Sequence, residues 1–145
     1  MPEPLMIGER PRRPGVVALL DAEGLPASDL TEAHLQHFFF TGTQEAPSAL
    51  VGLEIYGQDA LLRSLVVNGA ARTQGLGSAL VVHAETYAAA HGVRDLYLLT
   101  ITAESFFKRR GYRQLDRAAA PPSIKSTREF AGLCPASSAF MFKRL

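Results

Sequence analysis

The apolar positions of this chain change their spacing along its length, and each spacing predicts a different element. Between Pro14 and Leu25, the residues Val16, Val17, Leu19, Leu20 and Leu25 stand among small residues and meet the breaker Gly24-Leu25-Pro26, which reads as a short helix. Ser28 or Asp29 is placed to cap a second helix, with Glu32 near its first turn and an end at about Gln36. Phe38, Phe39 and Phe40 then open a β segment that stops at Gly42. Beyond the polar turn from Thr43 to Pro47, the run from Ala49 to Tyr56 reads as a strand. A tight turn at Gly57-Gln58-Asp59 leads into Leu61 to Val67, an almost continuous apolar run typical of a buried central strand. The middle of the chain is therefore expected to be an antiparallel meander.

After Asn68 the period becomes helical. Leu76, Leu80, Ala84, Tyr87 and Ala88 predict a long helix that leaves the Gly75-Leu76-Gly77 loop, runs to about His91 and is closed by Gly92. Val93 to Thr100 predicts a further strand. Strand, helix, strand is a crossover, so the strands starting at Leu61 and Val93 should be parallel. Ala103 to Arg110 reads as a short helix ended by Gly111, and Tyr112 to Leu115 as the start of a strand. Pro121 to Leu133 reads as a helix begun by proline, and Ala139 to Leu145 as a closing strand. No repeat or linker interrupts this order, so one mixed α/β domain over residues 1–145 is expected.

Composition narrows the class without identifying it. A chain of 145 residues has room for one real core and not for two. Its net charge of +1 gives no electrostatic reason to expect nucleic acid or a membrane as partner. Lys108, Arg109 and Arg110, the densest basic run, read as a solvated helix face. Cys134 is the single cysteine, so neither an intrachain disulfide nor a Cys-x-x-Cys metal cluster can form, and no metal is expected. Residues 1–15 carry charges and prolines where a signal peptide has an apolar run, and nothing approaches the roughly 20 apolar residues that span a bilayer. A cytoplasmic location follows as an expectation.

The run Arg72-Thr73-Gln74-Gly75-Leu76-Gly77 follows a buried strand and opens a helix. Glycines there leave backbone N–H groups at a helix N-terminus open to close approach, and that end carries about half a positive charge. A diphosphate suits such a site. A dinucleotide fold would use the same principle, but the full Gly-x-Gly-x-x-Gly is absent and several antiparallel strands precede the loop.

The stretch from Leu61 to Gly77, the strand ending at Thr100, and the run Ala103 to Tyr112 together resemble the core of GNAT N-acetyltransferases. The resemblance implies a GNAT fold: a mixed central sheet with an antiparallel N-terminal meander and two splayed parallel strands, flanked by helices. It implies acetyl-CoA as co-substrate, with its pyrophosphate on the Arg72–Ser78 loop and its pantetheine between the splayed strands. The cofactor contacts implied are Leu65, Val66 and Val67 on the strand, Arg72, Thr73, Gln74, Gly75, Leu76, Gly77 and Ser78 in the loop, and Thr100 and Phe107 beyond it. Two positions depart from the pattern. Phe107 stands where many members carry a tyrosine that protonates the leaving thiolate, and Thr100 where many carry asparagine. A thiol with a pKa of about 8.5 leaves tolerably without a dedicated acid. More narrowly, Ala60 to Val67, Asp95 to Thr100 and Thr127 to Pro135 look like the arsenic-resistance branch, the relatives of arsinothricin acetyltransferase. One cysteine cannot hold trivalent arsenic, so that branch would imply an organoarsenical glutamate analogue as acceptor.

Transfer to an amine needs a route for its proton and donors for the oxyanion. Backbone amides near Leu65 and Val67 are candidate oxyanion donors. Arg63 interrupts the buried run, where an unpaired guanidinium would be very costly. A two-residue turn at Gly57-Gln58 or Gln58-Asp59 puts Glu54 on its face of the sheet, directly opposite or diagonal. The pair is either a fixed structural ion pair or a catalytic one, in which Arg63 clamps an anionic group of the substrate and Glu54 takes the amine proton. Thr127 and Glu129 could cap the acceptor pocket or a helix. His37, His83 and His91 read as packed or surface residues, and Cys134 as a small buried hydrophobe. The expected partner is thus a small-molecule amine, with a homodimer left open. Two other functions stay open: a CoA-binding module without turnover, and an acetyltransferase of protein N-termini.

Overall fold

The computed structural model of the protein describes residues 6–145, without the side chains of residues 72–74. In chain order the elements are β1 (Gly8–Glu9), α1 (Arg13–Ala22), α2 (Glu32–Leu35), β2 (Phe38–Gly42), β3 (Pro47–Tyr56), β4 (Asp59–Val67), α3 (Leu76–Ala90), β5 (Asp95–Thr100), α4 (Glu104–Lys108), β6 (Arg113–Gln114), α5 (Pro122–Lys125) and β7 (Ala139–Arg144). The strands form one seven-stranded sheet in the order β1-β2-β3-β4-β5-β7-β6. β4 and β5 are parallel, as the crossover required, with Asp59 to Leu62 in register with Asp95 to Leu98. β7 lies antiparallel between β5 and β6. Among the described residues no helix is long and apolar enough to cross a membrane.

Contacts divide the chain into two compact units, residues Met1–Leu53 with Ser64–Ala84 and residues Glu54–Arg63 with Glu85–Leu145. In the first, Val16, Leu19 and Leu20 of α1 pack in a core with Leu35, Phe38, Leu50 and Val66. Helix α1 stops at Ala22, short of the expected Leu25, because Gly24 turns the chain at φ 72. The cap of α2 is Thr31 and not Ser28 or Asp29. The Thr31 hydroxyl accepts the His34 N–H at 3.4 Å, and His34 Nδ1 accepts the Thr31 N–H at 3.1 Å, a capping box with histidine in the role usual for glutamate. Gly52, in register with Phe38, is a required glycine, since a β carbon there would lie 2.2 Å from the Phe38 ring.

In the second unit Leu61, Tyr97, Ile124 and Phe140 form the core, with Phe130 packed against it. The β3–β4 hairpin closes on two residues, Gly57 and Gln58, with Gly57 at φ 66 and Gln58 outside the positive-φ region, the sign pattern of a II′ turn. The helix expected over Pro121–Leu133 is broken. α5 ends at Lys125, and a separate helical segment covers Glu129–Leu133, itself kinked at Gly132. The break follows from Thr127, whose hydroxyl donates to the Ile124 carbonyl at 2.8 Å and accepts the Phe130 N–H at 3.3 Å.

Candidate active site

The first unit holds the glycine loop. Asn68 accepts the Ala70 N–H on its side chain at 3.0 Å and starts a 3₁₀ segment over Gly69–Gln74, where plain loop was expected. Gly75, at φ 71 and ψ 17, then redirects the chain into α3. Among the described residues, a β carbon on Gly75 would meet nothing within 4 Å, so on that side the backbone is open. The Gly75 carbonyl accepts the Ala79 N–H at 3.2 Å. Leu76, Gly77 and Ser78 therefore fall in the first turn, where an α-helix has no intrahelical acceptors for its amides. The positive end of a 15-residue helix and an open glycine make a fit for a diphosphate. The expected roles of the Arg72, Thr73 and Gln74 side chains lie outside the described residues. On β4, Val66 is buried while Leu65 and Val67 are half-buried, the alternation of a strand. Ser64 carries φ 59 inside this strand, which no sequence pattern announced.

The second unit holds the charged pair, and the pair proves to be a triad. Arg63 Nη1 donates to Glu54 Oε2 at 2.8 Å, and Arg63 Nη2 lies 3.2 Å from Glu129 Oε1. The two-residue turn sets Glu54 diagonal to Arg63 on one sheet face. The Arg63 side chain has no exposed surface, and those of Glu54 and Glu129 are 5% exposed. At the Glu54 end, the Tyr56 hydroxyl donates to Oε1 at 2.5 Å. Tyr56 itself is 40% exposed, so it links the buried carboxylate to solvent. At the Glu129 end, Cys134 is half-buried; burial first, and then the charge and hydrogen bond of Glu129, push its thiol up to about 12. The thiol stays protonated and donates to Glu129.

Two of the candidate residues are engaged within the protein itself. Arg63 is not an open anion clamp: its two terminal nitrogens are each engaged by a protein carboxylate. Phe107, expected against the cofactor, is 4% exposed and packs edge-on to Phe106 and Tyr112, because the segment turns that ring inward. Thr100 uses its hydroxyl to accept the Ala103 N–H at 3.0 Å, shaping the entry to α4. His83 packs edge-on to Phe39, and His91 stacks on Tyr87, in line with their reading as packing and helix surface. Glu129 was named only as a pocket or helix cap, and Tyr56 was not singled out. A signal for a second carboxylate did exist, since a guanidinium has five donors and one carboxylate cannot occupy them all.

The family described as Acetyltransferase (GNAT) domain matches residues 35–114, more than half of the chain. Among curated proteins, an uncharacterised N-acetyltransferase of Chlorobaculum tepidum is 30% identical over 92 residues, 63% of this chain and 59% of that protein, so the chain spans under two thirds of that relative's length. Among solved structures, N-acetylglutamate synthase of Neisseria gonorrhoeae, complexed with coenzyme A and N-acetyl-glutamate, superposes with a TM-score of 0.82 at 19% identity, covering all of this chain and 36% of that one. A GNAT-family acetyltransferase of Staphylococcus aureus superposes at 0.77 with 16% identity, over 98% of this chain and 99% of the other. At these identities the structures establish the fold alone.

Proposed function

Because the chain belongs to the GNAT acetyltransferase family, we propose that it moves acetyl from acetyl-CoA to the amine of a small anionic, amino-acid-like molecule. The observation that carries this reading is the turn at Gly75, where a left-handed glycine leads directly into the first turn of α3 and a β carbon would meet none of the described residues within 4 Å. Leu76, Gly77 and Ser78 would hold the diphosphate through their N–H groups, and the bound thioester supplies an activated acetyl group. Backbone amides of Leu65 to Val67 are the candidate donors for the oxyanion.

The acceptor arrives largely protonated at neutral pH, since the amine of a free amino acid is more basic than a peptide's α-amino end, whose pKa is about 8. Glu54 takes its proton, and Tyr56, hydrogen-bonded to that carboxylate and partly exposed, passes the proton to solvent. Arg63 anchors the acceptor's anionic group. The N-acetyl-glutamate bound by the structurally similar synthase supports a glutamate-like acceptor. The likeness of Thr127 to Pro135 to the arsenic-resistance branch supports testing an organoarsenical glutamate analogue beside it. We place this activity in one domain over the whole chain, acting in the cytoplasm.

The test is thiol release from acetyl-CoA with glutamate, other amino acids, an organoarsenical glutamate analogue and a peptide N-terminus as acceptors. Release with carboxylate-bearing small amines, above that with the peptide, is expected. Calorimetric binding of acetyl-CoA with no release for any acceptor would make the chain a binding module instead, and a peptide preference would make it an N-terminal acetyltransferase.

A further inference from the structure

We propose that Glu129 is a built-in occupant of the acceptor's carboxylate site, and that an acceptor binds by exchanging its own carboxylate for that of Glu129 on Arg63. The inference rests on the reading above for the kind of acceptor, and on the charged triad for how that acceptor gains entry.

Three features of the triad distinguish its two carboxylates. The first is distance: Glu54 lies 2.8 Å from Arg63, a normal length for a charged pair, whereas Glu129 lies 3.2 Å away and is the looser partner. The second is backbone support. Glu54 belongs to β3, hydrogen-bonded within the sheet, whereas Glu129 belongs to a five-residue segment that loses helical geometry at Gly132. Of the two, Glu129 is the one carried outside the sheet, on a segment where the Cys134 N–H donates to its carbonyl at 3.0 Å. The third is charge. Two carboxylates face one guanidinium in nearly dry surroundings, so adding a third anion would be unfavourable. Replacing one carboxylate by another leaves the balance unchanged. Entry by exchange is therefore the route that low-dielectric electrostatics permits, and it makes Glu129 a specificity residue: a ligand without a carboxylate has nothing to offer Arg63 in return.

Cys134 reports on the exchange. It is the only cysteine of the chain, and it hydrogen-bonds to Glu129, whose charge helps hold the thiol protonated. When Glu129 moves off, that contribution is lost, the thiolate fraction rises and alkylation speeds up. The experiment measures iodoacetamide alkylation of Cys134 in the wild-type protein by mass spectrometry, with no coenzyme present. Titrating L-glutamate or glutarate at constant ionic strength should raise the rate severalfold and saturably, and ethylamine should leave it unchanged. An unmoved or slowed rate with both diacids overturns the exchange, as does equal acceleration by ethylamine. The assay involves no turnover, so it can fail while acetyl transfer succeeds, and the reverse. As a second arm, Glu129→Gln should lower KM for carboxylate-bearing acceptors by at least about tenfold, the low end of a charged hydrogen bond's contribution, with little change for amines lacking a carboxylate. A KM that rises for both kinds of acceptor refutes the inference.

Discussion

Replacing Arg63 by methionine removes the cation between two buried carboxylates while keeping most of the side chain's volume. Taking one side of a buried ion pair away costs about 3–5 kcal/mol, because the charge left behind has lost its water and gained nothing in return. Here both Glu54 and Glu129, each with a side chain 5% exposed, are left in that state, so the upper part of the range applies. Domains of this kind have roughly 5–15 kcal/mol of stability in total. At roughly 2–4 °C per kcal/mol, Arg63→Met should lower Tm by about 10–20 °C. Neutralising the two carboxylates as well, in Glu54→Gln/Arg63→Met/Glu129→Gln, removes the uncompensated charges. Because a buried neutral amide costs less to desolvate than a buried unpaired charge, the triple variant should recover part of the loss.

Urea unfolding followed by circular dichroism measures both differences, provided the slope with denaturant stays constant. Two results would refute the reasoning: Arg63→Met within about 1 kcal/mol of wild type, or a triple variant no more stable than the single one. The triple variant also separates fold from chemistry. It should bind acetyl-CoA by calorimetry with wild-type affinity and transfer no acetyl group, since Gly75 and the first turn of α3 are untouched.

Three further outcomes follow from the same geometry. Gly75→Val puts a β-branched residue at φ 71 and a side chain into the open space, so it should cost about 1–2 kcal/mol in stability and weaken acetyl-CoA binding at least tenfold by calorimetry; unchanged affinity would move the diphosphate site elsewhere. Tyr56→Phe removes the donor to Glu54 from a partly exposed position, so kcat should fall with every acceptor while KM for carboxylate acceptors holds, and a KM effect alone would place Tyr56 in binding instead of proton passage. Asp59 has its carboxyl raised above the ordinary value of 3.8, by burial first and then by the adjacent charge of Asp95, so the folded state holds that proton more tightly than the unfolded chain and stability is lost as pH rises above about 4. Asp59→Asn should therefore raise Tm at pH 7 and lose its advantage below pH 4; an advantage that persists at low pH would point to packing instead.

The parts of the molecule that were legible in the sequence are those fixed by local rules. The phenylalanine run gave β2 its observed limits, Phe38–Gly42, and the helical period from Leu76 gave α3 to within a residue. The two-residue turn at Gly57 set the sheet face of Glu54 and Arg63, because side chains alternate and a single added residue would have separated them. Other features depend on contacts that spacing cannot encode. Thr31 took the cap of α2 because His34 reaches back to its N–H, a pairing absent from the usual capping box. The helix expected from Pro121 failed at Thr127, whose hydroxyl competes for a backbone carbonyl. Ser64 in the left-handed region and Glu129 against Arg63 are tertiary choices. The carboxylate that completes the triad arrives from a segment beyond α5, and periodicity says nothing about where such a segment returns.

That return raises the question of what the triad is for. Stability does not require it, since apolar residues of similar volume in place of a buried Glu–Arg–Glu cluster commonly fold as well or better. The charges must add something that packing cannot. A fixed structural pair would need one carboxylate for Arg63, in good geometry, with its remaining donors satisfied by neutral groups. This protein instead sets a second carboxylate against the guanidinium at a longer distance, ties it to the only thiol in the chain, and carries it on a segment with little regular structure. Two carboxylates competing for one guanidinium form an arrangement whose members can be exchanged at constant charge. On the function proposed above, such an arrangement would select among amines by the anion each one carries.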